Sequence, residues 1–130
     1  MTTYFKKIFT VDDEPLLTEM LIDYVKEQDN GDSLEIETFP TGEACLKKLY
    51  EAPDLVLLDY YLNLRERDAA NGIDILKSLK DKNKTLPVIM LSSQKNYAIA
   101  AKTILYGTVP YVIKGQDAFG EIYKIIKANT

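Results

Sequence analysis

Five short apolar or β-branched runs, at 7–11, 34–39, 54–58, 87–91 and 110–113, alternate along this chain with five segments of helical period. Strict alternation separates every pair of successive strands by a helix. Tight hairpins are then excluded, and the strands must be joined by crossovers into a parallel sheet with helices on both faces. The expected fold is an α/β, doubly wound, five-stranded parallel sheet. "LVLL" and "VIML" are apolar throughout, as strands covered on both sides must be, whereas "LEIETF" alternates and reads as a sheet edge. The order 2-1-3-4-5 puts that second strand at the periphery. In such a sheet the binding crevice lies beyond the strand C-termini, between strands 1 and 3.

The helical segments carry their own signatures. Leu16, Leu17, Met20, Leu21, Tyr24 and Val25 follow the spacing of one buried face, with Pro15 in the first turn. Thr41 is the expected N-cap of a second helix that buries Cys45, Leu46, Leu49 and Tyr50. Ile73, Leu76 and Leu79 mark a third. Tyr97, Ala98, Ala101, Ile104 and Leu105 mark a fourth, stopped by Gly107. Phe119, Ile122, Ile125 and Ile126 define the fifth.

Composition removes whole classes of chemistry. The chain has no histidine and one cysteine, Cys45, so imidazole-based catalysis, imidazole metal ligation and an internal disulfide are all absent. With 130 residues, one domain spanning 1–130 is the expectation. A net charge of -4 argues against nucleic-acid binding. Lys77, Lys80, Lys82 and Lys84 gather, but Asp81 interrupts them, and they read as a solvated helix end. The apolar runs are far shorter than the roughly 20 residues of a membrane-spanning helix. "MTTYFKKIFTVDDEP" places acids where a secretory leader stays apolar, so a cytoplasmic location is expected.

What remains is chemistry at the strand ends. In a parallel sheet the C-termini emerge along one edge, which should gather Asp12 and Asp13, Asp59, Ser92 and Ser93, and Lys114. Each has a bland reading alone: Asp13 beside a helix start, Asp59 in a turn, a serine as a helix cap, Lys114 as a surface side chain. Together they are a pattern. Three crowded carboxylates repel one another unless a cation lies among them, and an all-oxygen donor set suits Mg²⁺.

These residues resemble those of response-regulator receiver domains, the phosphoacceptor modules of two-component signalling. The resemblance spans essentially the whole chain and rests on "VDDEP", "LVLLD", "VIMLSS" and "YVIK". It implies a CheY-like, flavodoxin-like fold. It also implies Asp59 as the phosphorylated aspartate, and Asp12 and Asp13 as Mg²⁺-binding acids with the backbone carbonyl of Tyr61. Ser92 would be the switch hydroxyl, Tyr111 the switch aromatic and Lys114 the lysine that contacts the phosphoryl group. The implied donor is a histidine kinase or histidine phosphotransfer protein. The implied output is a downstream protein or output domain, reached through the surface of the fourth helix, fifth strand and fifth helix. Such a module is a signalling protein that assists its own phosphoryl transfer and dephosphorylation.

Several positions depart from the family pattern. "DYYLNLRERDAANG" has Asn63 where a Pro is usual and brings Gly72 late, which enlarges the loop 62–71. Arg65 and Arg67 either fold back towards the site or, as the charge pattern favours, pair with acids of the same loop. Gly115 follows Lys114 in place of Pro, Ser93 stands where a small apolar residue is commoner, and Tyr61 and Gln94 occupy variable positions. Two other functions fit the fold class. A receiver-like module that binds proteins without phosphorylation would not need acceptor, acids and lysine together. A phosphohydrolase of the haloacid-dehalogenase type needs a second Asp where Tyr61 stands.

Overall fold

The computed structural model describes residues 6–12, 15–28, 34–59, 72–92, 111–113 and 117–128. They form β1 (Lys6–Val11), α1 (Pro15–Gln28), β2 (Leu34–Phe39), α2 (Gly42–Lys47), a 3-10 turn (Leu49–Glu51), β3 (Leu55–Asp59), α3 (Gly72–Lys82), β4 (Val88–Ser92), β5 (Tyr111–Ile113) and α4 (Ala118–Ala128). The helix α4 is the fifth helical segment of the sequence. The fourth segment, with Tyr97 to Leu105 and Gly107, lies outside the described residues.

All strand pairings are parallel, and the sheet runs β2-β1-β3-β4-β5. Side chains alternate between the two faces, and each face has its own core. Phe9, Val11, Val56, Leu58, Val88 and Met90 pack with Cys45 of α2 and with Ile73, Ile75, Leu76 and Leu79 of α3. On the opposite face Ile8, Leu55, Leu57, Ile89 and Leu91 meet Leu21 and Val25 of α1, and Ile122 and Ile126 of α4. The alternating run "LEIETF" is the edge strand, paired on one side to β1.

Local signals act as the sequence requires. Thr41 caps α2 by accepting the Ala44 N–H at 3.2 Å. Behind it, Gly42 is buried against Ile75 of α3, with no room for a Cβ. The 3-10 turn is held to β1 by the Lys7–Glu51 ion pair at 2.6 Å, and Lys48 reaches Glu37 at 3.2 Å. The hydrogen bond from Lys7 holds the Glu51 carboxyl below its ordinary value.

Three readings of the helices need correction. Leu16 and Met20 of α1 are 70% and 51% exposed, and the buried face runs through Thr18, Leu21 and Val25 instead. The apolar stripe of this helix is wider than its seat on the sheet. Tyr50 is 79% exposed, because α2 stops at Lys47 and the tighter 3-10 winding turns residue 50 away from the core. Lys80 is only partly solvated: its ammonium donates to the Leu86 carbonyl at 2.7 Å, and burial lowers its pKa.

Candidate functional site

The register of the central strands decides what meets at the sheet edge. Val11 pairs with Leu58, so Asp12 and Asp59, one residue further along each strand, emerge side by side. Adjacent strands are about 4.8 Å apart. Both acids share the parity of Ile8, Leu55 and Leu57, which places them on the face covered by α1 and α4. Asp12 is held on its other side as well, because its N–H donates to the Phe39 carbonyl at 3.1 Å and so prolongs the β1–β2 ladder.

The two acids differ in exposure. Asp59 ends a strand whose five residues are all buried and is itself 1% exposed, while Asp12 is half-buried. Withdrawing a carboxylate from water is costly, and a second carboxylate alongside adds repulsion. Crossovers from β1 and β3 leave towards opposite faces, α1 on one and α3 on the other, which leaves a crevice beyond the C-terminal ends of these two paired strands. Two carboxylates side by side at that edge favour a cation between them.

The next strand continues the row. Asp59 pairs with Leu91, Ser92 ends β4 opposite Ile113, and Tyr111 opens β5 opposite Met90. The backbone thus puts residue 92 beside the acid-bearing end of β3. Asp13, Tyr61 and Lys114 lie outside the described residues, as do Ser93, Gln94, Gly115 and the enlarged loop with Arg65 and Arg67. Among the described residues no group of three or more metal-ligating side chains is assembled, since Asp12 and Asp59 are two of the three expected acids. Their donor chemistry, hard oxygens without nitrogen or sulfur, fits Mg²⁺ rather than a softer metal.

Two hydroxyls near the acids are not evident from periodicity. Thr10, on the same face as Asp12 and two residues before it, is buried, and its Oγ1 has no hydrogen-bond partner among the described residues. The signal for it is a threonine inside the apolar run "IFTV". Thr18 is buried on α1, and together with Asp12, Ile22 and Thr38 it lines a hollow of about 200 Å³ beside the sheet edge. The arrangement as a whole offers a buried carboxylate for attack and a neighbouring carboxylate, bordering a hollow along α1, for a hard cation.

Comparison with known proteins matches residues 8–127 to the family model of the response regulator receiver domain. The transcriptional regulatory protein MalR of Bacillus subtilis is 30% identical over 108 residues, covering 82% of this chain and 43% of that protein. The DNA-binding response regulator MtrA of Mycolicibacterium smegmatis is 30% identical over 115 residues, covering 88% of this chain and 46% of that protein. The chain therefore spans less than half the length of these relatives. Among solved structures, the receiver domain of NtrX from Brucella abortus superposes with a TM-score of 0.77 at 25% identity, covering 94% of this chain and 96% of that one.

Proposed function

From the premise that this chain belongs to the response-regulator receiver family, we propose that residues 1–130 are a single phosphoacceptor domain of a His-to-Asp relay, with Asp59 as the acceptor. The observation that carries the reading is the register that sets buried Asp59 beside Asp12 at the C-terminal edge of the sheet. These 130 residues contain no histidine, so the phosphohistidine lies outside them, on a histidine kinase or a histidine phosphotransfer protein.

In the proposed reaction a carboxylate oxygen of Asp59 forms a bond to phosphorus as the bond from phosphorus to the donor nitrogen breaks. Asp12, Asp13, Asp59 and the Tyr61 carbonyl would hold Mg²⁺, which when bound neutralises phosphoryl oxygen charge. Lys114 supplies a second positive charge to the same oxygens. Asp59 sits at the end of a strand that is hydrogen-bonded on both sides, which fixes the attacking group in position. Ser92 donates to a phosphoryl oxygen, and its movement makes room for the Tyr111 ring. Charge at one edge thereby biases a pre-existing equilibrium. On the family's pattern the fourth helical segment of the sequence, β5 and α4 would supply the output surface, read by a downstream protein or output domain. A cytoplasmic location accords with this chemistry. Among the described residues no helix is long and apolar enough to cross a membrane.

Incubation with acetyl phosphate and Mg²⁺ tests the proposal. Intact-mass measurement should show one added phosphoryl group, absent in Asp59→Asn, and Mg²⁺ should raise the melting temperature in the wild type but not in Asp13→Ala. A phosphorylated Asp59→Asn protein, or an unmodified wild type, would refute the assignment. The second of these results would favour a phosphorylation-independent interaction module.

A further inference from the structure

At the opposite end of the sheet from Asp59, about 20 Å away along β3, a groove of about 490 Å³ separates the end of α2 from the end of α3. Its floor is apolar, built from Leu46, Leu49, Pro53 and Leu86. Tyr50 stands at its rim, 79% exposed. The charged residues that line it are Lys47 and Lys82, both exposed. Among the described residues neither takes part in an ion pair. Their neighbours are already engaged: Lys48 binds Glu37 and Glu51, and Lys80 binds the Leu86 carbonyl. A chain of net charge -4 thus presents here an apolar slot flanked by two available ammonium groups and an exposed tyrosine.

We propose that this groove docks a partner-protein segment in which acidic residues flank a leucine- or phenylalanine-sized anchor. The anchor would cover the leucine floor and Tyr50, and the acids would meet Lys47 and Lys82. Tyrosine is enriched among residues that dominate binding energy, and opposite charges at a rim steer association and set specificity. Two ammonium groups over an apolar floor suit a peptide better than a nucleic-acid backbone, which needs a longer basic track. The groove wall is fixed beforehand. Ala52 holds a left-handed conformation with φ 55° while its N–H bonds the Leu49 carbonyl at 3.0 Å, and Glu51 is tied to Lys7. A preformed wall lowers the ordering cost of binding. Because the groove lies at the far edge from the acids, a docked partner leaves Asp59 uncovered in either phosphorylation state.

The test uses the ¹⁵N-labelled chain and three probes: a short synthetic peptide with acids flanking a Leu-Phe anchor, the same peptide with lysines in place of the acids, and an oligothymidylate. Amide shifts should appear for the acidic peptide at residues 46–52 and 82–86, with a Kd on the order of 100 μM. Binding should weaken roughly tenfold in Lys47→Glu/Lys82→Glu and decline with added salt. Tyr50→Ala should also weaken it, while both variants keep the wild-type circular dichroism. The inference is overturned by shifts elsewhere, by equal binding of the basic peptide, by occupation of the groove by the oligonucleotide or a second copy of the chain, or by no shift at millimolar peptide. Phosphorylation of Asp59 is measured separately and does not enter this result.

Discussion

Gly42→Ala should destabilise the fold by an amount the structure allows to be worked out. Gly42 opens α2 directly behind its Thr41 cap and lies against Ile75 of α3. A methyl group there would overlap Cγ1 and Cδ1 of Ile75 and come within 3.0 Å of its Cγ2. Ile75 is itself buried in the α2/α3 core and has little room to turn aside. Such overpacking costs about 1–3 kcal/mol, and the reduced freedom of alanine in the unfolded chain offsets it by roughly 0.4–1 kcal/mol. A net loss of about 1–2 kcal/mol remains. An unfolding entropy of about 0.27 kcal/mol/K for 130 residues converts this to a fall of about 4–7 °C in melting temperature. Thermal denaturation of Gly42→Ala, Ile75→Ala and the double variant forms a cycle. Ile75→Ala alone should cost about 2–5 kcal/mol through its cavity, and the double variant should lose less than the two singles together, since each change relieves the other. A Gly42→Ala protein melting within about 1 °C of wild type, or losses that simply add, would refute the close approach of α2 and α3.

Thr10→Val keeps the shape of the side chain and removes a buried hydroxyl that has no partner among the described residues, so it should raise the melting temperature by about 4 °C; a fall would mean the hydroxyl is satisfied in solution. The Lys7 hydrogen bond holds Glu51 below its ordinary value of 4.5, so the folded state binds fewer protons than the unfolded one. The stability this contributes is present above pH 4.5 and is lost as pH falls through the lower folded value. Glu51→Gln should therefore flatten the acid limb of a melting-temperature profile at low salt, and an unchanged limb would dismiss the pair. Burial pushes the Cys45 thiol up to about 12, so it should resist a disulfide reagent at pH near 8 in the native protein and react at once in guanidinium, followed by absorbance.

The sheet was readable because burial leaves so few choices. A strand covered on both faces must be apolar at every position, and "LVLL" and "VIML" satisfy that, while the glutamates of "LEIETF" belong only to an edge. Thr41 was equally readable, since an N-cap is a local event. Leu16, Met20 and Tyr50 were not. Their periodicity matches a buried face, yet whether a helix seats all of an apolar stripe depends on what it packs against. The need for glycine at position 42 is also set from outside, by Ile75 on another helix.

The acidic edge lies between these cases. That Asp12 and Asp59 follow their strands is local information; that they stand side by side depends on register, which no single segment encodes. Register is fixed by the core. With Ile8 opposite Leu55 and Val11 opposite Leu58, every residue of β3 is buried on its proper face. A slip of one residue would send Leu55 and Leu57 to the α3 side, Val56 and Leu58 to the α1 side, and Asp59 to the face opposite Asp12. Both cores would have to repack for the acids to part. The alignment of the two carboxylates is thus protected by the packing energy of apolar residues that never touch a ligand. Polar substitution deep in β3, at Leu55 or Leu57, should accordingly disturb the site as well as the fold.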